Sequence, residues 1–154
     1  MGKKEYALGD IKLDEWKEAL KQDREQLNEL FLLARGVDPK HDAKLYELKK
    51  LIAKKAITPF NTAPNGKTNK KVLVFTAFSD TAEYIYESLL DFAKHEVAMK
   101  IALVTGSGTK TTFGANDFNS ILTNFSPHSK ERSKREQMPQ EGEVDILIAS
   151  DCIS

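Results

Sequence analysis

Residues 145–154 read DILIASDCIS, and this stretch decides the fold class. Its centre, Ile146 to Ala149, is an unbroken apolar run of strand length. Such a run is typical of a strand that is covered on both faces, as in the middle of a parallel sheet. Central strands seldom form the last element of a domain, so we expect the fold to continue past Ser154.

Two more apolar runs, KVLVFT at 71–76 and MKIALV at 99–104, have the composition of buried strands. Asp80 and Glu83 have capping-box spacing after the first run, and Asn116 can cap a short helix after the second. The inward faces of the two helices are predicted to comprise Ala82, Ile85, Leu89 and Phe92, and then Phe118, Ile121, Leu122 and Phe125. Alternating strands and helices predict an α/β fold in αβα layers, with a partial parallel sheet of about three strands.

The first third of the chain is highly charged and is predicted to be helical. An apolar stripe starts at Leu13 and ends at Arg35-Gly36, a basic last turn followed by a glycine stop. Asp38-Pro39 has the pattern of an N-cap and first residue of a second amphipathic helix, which ends before Pro59. We expect the two helices to pack as a hairpin.

A change in composition predicts the domain boundaries. Residues 58–69, TPFNTAPNGKTN, are rich in proline and asparagine, which is typical of a linker or exposed loop. We therefore divide the chain into a helical extension at 1–57, a linker at 58–70 and a partial α/β domain at 71–154.

The overall charge favours no class of partner. The chain has 23 basic and 23 acidic residues, so its formal net charge is zero and a nucleic acid would have to be held by a local patch. The single cysteine, Cys152, fits a reducing cytoplasm. No apolar stretch approaches the roughly 20 residues of a membrane span, so we expect a cytoplasmic protein without membrane contact.

The stretch TGSGTKTTFG at 105–114 follows a predicted strand and superficially resembles a phosphate-binding loop. The Walker pattern requires glycines at two positions before the lysine, where Lys110 is preceded by Thr109 and Val104. We therefore reject a nucleotide-hydrolysing loop. Backbone N–H groups of a glycine-rich loop can still bind a phosphate weakly, and a plain flexible loop is the alternative.

The remaining candidate groups are weaker. The 3 histidines lie far apart in the sequence, so we expect no metal site. Lys130 and Arg132 belong to a basic cluster, PHSKERSKRE at 127–136, which could hold a backbone phosphate. A solvated loop fits the same charge pattern.

Four stretches together resemble, in order and spacing, the second RecA-like domain of superfamily-two helicases. They are KVLVFTAFSDTAEYI at 71–85, ALVTGS at 102–107, FSPHSKER at 125–132 and DILIASDCIS at 145–154. The most similar members are Swi/Snf-type ATP-dependent DNA translocases of the bacterial helicase-related branch. The first stretch resembles motif IV, and the last resembles the start of motif V. The resemblance therefore implies a partial RecA-like sheet that is cut within motif V.

The resemblance also implies two groups of site residues. Contacts with the nucleic-acid backbone would come from Thr105, Gly106, Ser107, Lys130, Arg132 and Ser150. The interdomain nucleotide cleft would be lined by Phe78, Ser79, Asp151 and Ser154. It assigns no catalytic residue to this chain.

ATP and Mg²⁺ are the cofactors that the resemblance implies for the full-length parent. The Walker lysine, the Mg²⁺-binding acidic motif and the arginine-bearing motif VI of that family are absent from this sequence. Phosphoryl transfer needs all of these groups, so we do not expect the fragment alone to hydrolyse ATP. Its expected partners are DNA, with RNA as an alternative, and the first RecA-like domain of the same parent chain.

A non-enzymatic interpretation fits the same sequence. The chain would be a small α/β binding or scaffold module that docks a partner protein through its helical arm, Leu13 to Ala34. DNA binding that falls steeply with salt would favour the motor domain, and salt-insensitive protein association would favour the scaffold. We also expect an open apolar edge beside one strand, with a tendency to self-associate.

Overall fold

The computed structural model of the chain describes residues 9, 12–36, 41–58, 61–62, 66 and 68–150. The predictions for Asp38-Pro39, Pro59 and residues 151–154 lie outside this described part. The chain divides into two compact units, Met1–Asp42 and Ala43–Ser154.

The first unit contains helix α1, Leu13–Arg35, as the apolar stripe predicts. The helix ends where Gly36 N–H bonds to the carbonyl groups of Leu33 and Ala34. None of its residues is buried. Exposed large apolar side chains along it are Trp16, Leu20, Leu27, Leu30, Phe31, Leu32 and Leu33. The helical hairpin stays a prediction.

The second unit is an α/β fold with a mixed, mostly parallel sheet, which confirms the predicted class. Its elements are α2 (Ala43–Ile57), β1 (Val72–Thr76), α3 (Ser79–His95), β2 (Ile101–Thr105), β3 (Gly108–Thr111), α4 (Phe118–Phe125) and β4 (Ile146–Ser150). The strand order is β1-β4-β2-β3. Strand β4 is parallel to both of its neighbours and every residue in it is buried, so the prediction of a central strand is confirmed.

Strand β3 is the element that the sequence analysis missed. It pairs antiparallel with β2, and Gly106 and Ser107 form the turn between Thr105 and its partner Gly108. Thr109 and Thr111 are β-branched residues, which pack well on a pleated surface. The glycine-rich stretch is therefore mainly a β-hairpin rather than a flexible loop.

Helices pack on both faces of the sheet, and alternate residues of each strand point to opposite sides. On one face, Ile101 and Ile146 pack with α2 and α3 residues such as Ile52 and Leu89. On the other face, the short helix α4 packs through Ile121 against a smaller cluster; the strand residues in it are Ala102, Val104 and Leu147. This arrangement gives the predicted αβα layers.

Helix α2 belongs to the α/β unit, although the sequence analysis grouped it with α1. It begins at Ala43, and its residues Leu45 and Ile52 are buried in the core beside α3. Lys55 Nζ also donates a hydrogen bond of 2.6 Å to Lys71 O, just before β1. The boundary between the two compact units therefore falls after Asp42, just before α2.

Both helix starts differ from their predicted caps. Helix α3 begins at Ser79, and its N-cap residue Phe78 makes no side-chain capping bond, so Asp80 and Glu83 do not form the predicted capping box. Asp117, rather than Asn116, caps α4, because its carboxylate accepts a hydrogen bond of 3.0 Å from Ser120 N–H. Hydrogen bonds from Ser120 lower the pKa of the Asp117 carboxyl.

No helix within the described ranges has both the length and the apolar character that crossing a membrane requires.

Candidate functional site

The carboxyl ends of β1, β4 and β2 lie side by side and form the candidate site. The register pairs Thr76 with Ser150 and Val104 with Ala149, so these three strands end at one edge of the sheet. Open α/β sheets bind ligands at this edge. Predicted site residues that the structure brings there are Phe78, Ser79, Thr105, Gly106, Ser107 and Ser150.

A hydroxyl pair links the end of β4 to the start of α3. Ser79 Oγ lies 3.3 Å from Ser150 Oγ, although the two residues are 71 positions apart in the chain. Ser150 is buried, whereas Ser79 is half-buried in the first turn of the helix. The stretches that resemble motif IV and motif V are therefore in direct side-chain contact.

The hairpin turn after β2 carries a second set of hydrogen-bonded hydroxyl groups. Thr105 Oγ1 lies 2.8 Å from Ser107 Oγ and donates a bond of 3.0 Å to Gly108 O. Ser107 Oγ also donates a bond of 3.2 Å to Glu83 Oε1 on α3. Because Gly106 and Ser107 are exposed at the tip, a ligand can reach both the backbone and the Ser107 hydroxyl.

Two charged groups near this edge are already used within the protein. Lys110 Nζ donates a bond of 2.8 Å to Glu87 Oε1 and lies over the ring of Tyr86. This hydrogen bond raises the pKa of the Lys110 ammonium. The glycine-rich stretch therefore presents hydroxyls and backbone rather than an unpaired lysine.

Phe78 is the aromatic group of the candidate site. It lies between β1 and α3, and 72% of its surface is exposed. An exposed ring at this edge can stack on a nucleic-acid base or on the base of a nucleotide. That Phe78 lines the interdomain nucleotide cleft stays a prediction, and its position at the carboxyl edge is compatible with it.

Arg132 does not belong to this edge, which corrects its prediction as a nucleic-acid contact. Its side chain is buried at 5% exposure. The guanidinium donates to Asn124 Oδ1 at 3.1 Å, to Gly142 O at 2.8 Å and to Gln140 O at 3.3 Å. These bonds hold together the connection between α4 and β4, so Arg132 stabilises the fold.

Lys130 lies in the same connection and is exposed. Its backbone N–H donates to Ser126 O, in the segment that leads from α4 toward the amino end of β4. The structure therefore does not group Lys130 with the residues at the carboxyl edge.

The opposite, amino end of the sheet has a cleft of about 670 Å³ that the sequence analysis missed. Three charged residues in its lining come directly before strands: Lys71, Lys100 and Asp145. Lys71 Nζ bonds to Val144 O at 2.6 Å and pairs with Glu143. In the sequence, a charged residue stands immediately before each apolar run, and this pattern could have identified the amino end of the sheet as a charged surface.

Asp145 connects the amino ends of all three parallel strands. Its Oδ2 accepts a bond of 2.9 Å from Lys100 N–H, and its carbonyl accepts one from Val72 N–H. Burial raises the pKa of the Asp145 carboxyl, although the hydrogen bond from Lys100 acts in the opposite direction. At the amino end of the sheet, Lys71 and Asp145 thus bond to the segments that lead into the strands.

The described residues at the carboxyl edge form at most one wall of a nucleotide site. They supply hydroxyl groups and the Phe78 ring, whereas Lys110 is held by Glu87. In the described part of the chain, no cluster of His, Cys, Asp and Glu side chains could hold a metal ion. Asp151 and Ser154, predicted for the same cleft, lie outside that part. These residues alone do not fit an ATP-Mg²⁺ complex.

Comparisons with protein-family models, curated proteins and solved structures find no match for this chain. The motor-domain interpretation therefore stands on the motifs in the sequence and on the arrangement of the carboxyl edge.

Proposed function

We propose that this chain is part of the second motor domain of an ATP-dependent DNA helicase or translocase. The observation that carries the proposal is the contact of 3.3 Å between Ser79 Oγ and Ser150 Oγ. It joins the two stretches that resemble motifs IV and V, at the sheet edge where α/β folds bind ligands.

The exposed groups at this edge suit a phosphate backbone. Gly106 has no side chain, so a phosphate can approach its backbone closely, and the exposed Ser107 hydroxyl can donate to a phosphate oxygen once it gives up its bond to Glu83. Phe78 offers a face on which a base can stack without regard to sequence. Glu83 accepts the Ser107 hydrogen bond at 3.2 Å and limits the charge that the turn can attract. We therefore expect weak, sequence-independent binding by this chain alone.

ATP hydrolysis belongs to the parent in this proposal. A phosphate cradle, a metal ion and an arginine act together in phosphoryl transfer. The first RecA-like domain would supply the opposite wall of the cleft with ATP and Mg²⁺, and closure of the two domains would move the protein along DNA. The chain contributes backbone contacts and half of the cleft, and its proposed location is the cytoplasm.

Fluorescence anisotropy with a labelled single strand and a labelled duplex tests the proposal across a range of salt concentrations. We expect weak binding that falls as salt rises. Ser107→Asp adds a negative charge at the exposed turn and should lower the affinity roughly tenfold through repulsion of phosphate. Ser129→Asp is the matched control, because Ser129 is an exposed serine at the opposite, amino-end cleft.

Two results would count against a motor-domain fragment. One is the absence of salt-dependent binding to either DNA. The other is an equal loss of affinity in both serine variants, which would indicate general charge repulsion rather than a site at the carboxyl edge.

The scaffold interpretation is the second candidate, because α1 exposes its apolar stripe. Leu27 is 65% exposed and Trp16 is 58% exposed, and such a stripe is suited to docking on an apolar groove. Protein association that is insensitive to salt and abolished by Leu27→Lys would favour this candidate. Ser107→Asp should leave that association unchanged.

A further inference from the structure

Strand β1 forms an open edge of the sheet. It is the first strand in the order β1-β4-β2-β3, and within the described ranges no strand pairs with its outer side. Two of its side chains are also uncovered: Leu73 is 47% exposed and Phe75 is 62% exposed. The strand therefore offers both unpaired backbone groups and an apolar surface.

The backbone geometry identifies which groups face outward. Val72 N–H donates to Asp145 O, so residues 72, 74 and 76 direct their N–H and C=O groups toward β4. By alternation, Leu73 and Phe75 direct their N–H and C=O groups away from the sheet. The residues with exposed side chains are thus the same residues whose backbone groups are available for pairing.

This pattern is self-complementary under a two-fold axis. In an antiparallel pair centred on Val74, Leu73 of one copy lies opposite Phe75 of the other and exchanges both backbone hydrogen bonds with it. The symmetry mate of this pair forms in the same way, so the four apolar side chains come together on one face.

The charge pattern permits the same register. Residues 72–78, VLVFTAF, contain no charged residue and no proline, which are the usual protections of an edge strand. Lys70 and Lys71 precede the strand, so an antiparallel pairing places the lysines of the two copies at opposite ends, about 20 Å apart.

We propose that two copies of this chain associate through β1, in an antiparallel pair centred on Val74 that joins their sheets into one. The inference does not depend on the proposed motor function, because it uses only the edge of the sheet and the side chains of Leu73 and Phe75.

Sedimentation equilibrium of the 154-residue chain tests the proposal. We expect a reversible monomer–dimer equilibrium that Phe75→Lys shifts toward the monomer, with affinity lower by roughly tenfold, because each dimer loses both Leu-Phe pairs. Phe31→Lys is the matched control, because Phe31 on α1 is 57% exposed, close to the value for Phe75. It should leave the equilibrium unchanged. Leu73→Lys serves as a second variant if circular dichroism shows that Phe75→Lys does not fold.

Amide hydrogen exchange, followed by NMR, tells whether the outer side of β1 is covered by a second copy or by another segment of the same chain. In the proposed dimer, the Leu73 and Phe75 amides become more protected as protein concentration rises, and Phe75→Lys shifts that dependence to higher concentration. Protection of these amides in a monomer would show that another segment of the same chain covers β1, and it would overturn the proposal. A chain that stays monomeric at all concentrations, or a dimer lost in Phe31→Lys but kept in Phe75→Lys, would overturn it too.

Discussion

The two ends of the parallel sheet use their polar residues differently. At the amino end, Lys71 and Asp145 bond to backbone groups of neighbouring segments, and the connection to β4 is held by Arg132. At the carboxyl end, hydroxyl groups such as those of Ser79 and Ser107 bond mainly to other side chains at 2.8–3.3 Å. The amino end therefore contributes to stability, whereas the carboxyl end leaves groups that a ligand can engage.

This difference shows that charge alone does not locate a binding site. The basic segment PHSKERSKRE places its Arg132 inside the protein, and the exposed site candidates are mostly uncharged. A buried guanidinium needs acceptors, and the backbone carbonyls of Gln140 and Gly142 provide them.

Arg132→Ala tests the stabilising role of the amino end, and among the variants here it should lower stability the most. It leaves Asn124 Oδ1 and Gly142 O without their donor, and we expect the free energy of unfolding to fall by about 3 kcal/mol. Urea denaturation measures the change. The control is Lys130→Ala, which removes an exposed cation two residues away and should change stability by less than about 0.5 kcal/mol. Equal effects of the two variants would contradict the assignment of Arg132 to the interior.

Gly114→Ala, in the loop between β3 and α4, should displace the Asn124 side chain and destabilise the protein to a smaller extent. Gly114 has φ +76°, and an added Cβ would lie 2.5 Å from Asn124 Nδ2. We expect a loss of about 2 kcal/mol from strain and displacement of Asn124. Gly66→Ala is matched in backbone, with φ +77°, and has no neighbour within 4 Å of the added Cβ. Thermal unfolding should show the larger loss for Gly114→Ala, and the reverse order would exclude the contact with Asn124 as the cause.

Asp145→Asn should change stability the least, and it should raise stability rather than lower it. Burial raises the pKa of this carboxyl, so Asp145 contributes stability below its ordinary pKa and loses it as pH rises through the raised value. Asparagine keeps an acceptor for Lys100 N–H without the charge. We therefore expect the variant to be more stable than the wild type at neutral pH, by less than about 1 kcal/mol.

The pH dependence of this stability advantage tests whether the charge of Asp145 is its cause. The advantage of Asp145→Asn should disappear as pH falls toward the ordinary carboxyl pKa, because the wild-type side chain is then neutral as well. Urea denaturation across the pH range measures it. Glu141→Gln removes an exposed carboxylate from the same connection and is the control, with an expected change in stability of less than about 0.5 kcal/mol. An advantage that is constant with pH would rule out the charge of Asp145 as its origin.

Several features of the fold follow from local sequence patterns. The apolar run at 146–149 predicted a central buried strand, and the stripe from Leu13 predicted α1 with its end at Arg35. The positions of Ser79, Ser150 and Ser107 at one edge follow from the parallel βαβ order, since Ser79 and Ser107 come shortly after a strand and Ser150 is the last residue of one. The predicted cap of α4, Asn116, was wrong by one residue. Asn116 and Asp117 are both residue types that cap helices well, and only the final turn geometry selects Asp117.

The sequence by itself determined the periodicity of most segments, and with it the α/β class, the order of the helices and the three parallel strands, and the edge at which the candidate site lies. Only the tertiary structure decided that Arg132 points inward, that 108–111 pairs with β2, and that α2 packs in the core of the α/β unit. The physical reason is that periodicity depends on neighbours within a few residues. The destination of a charged group or an additional strand depends instead on acceptors and partners that the chain brings close only when it folds.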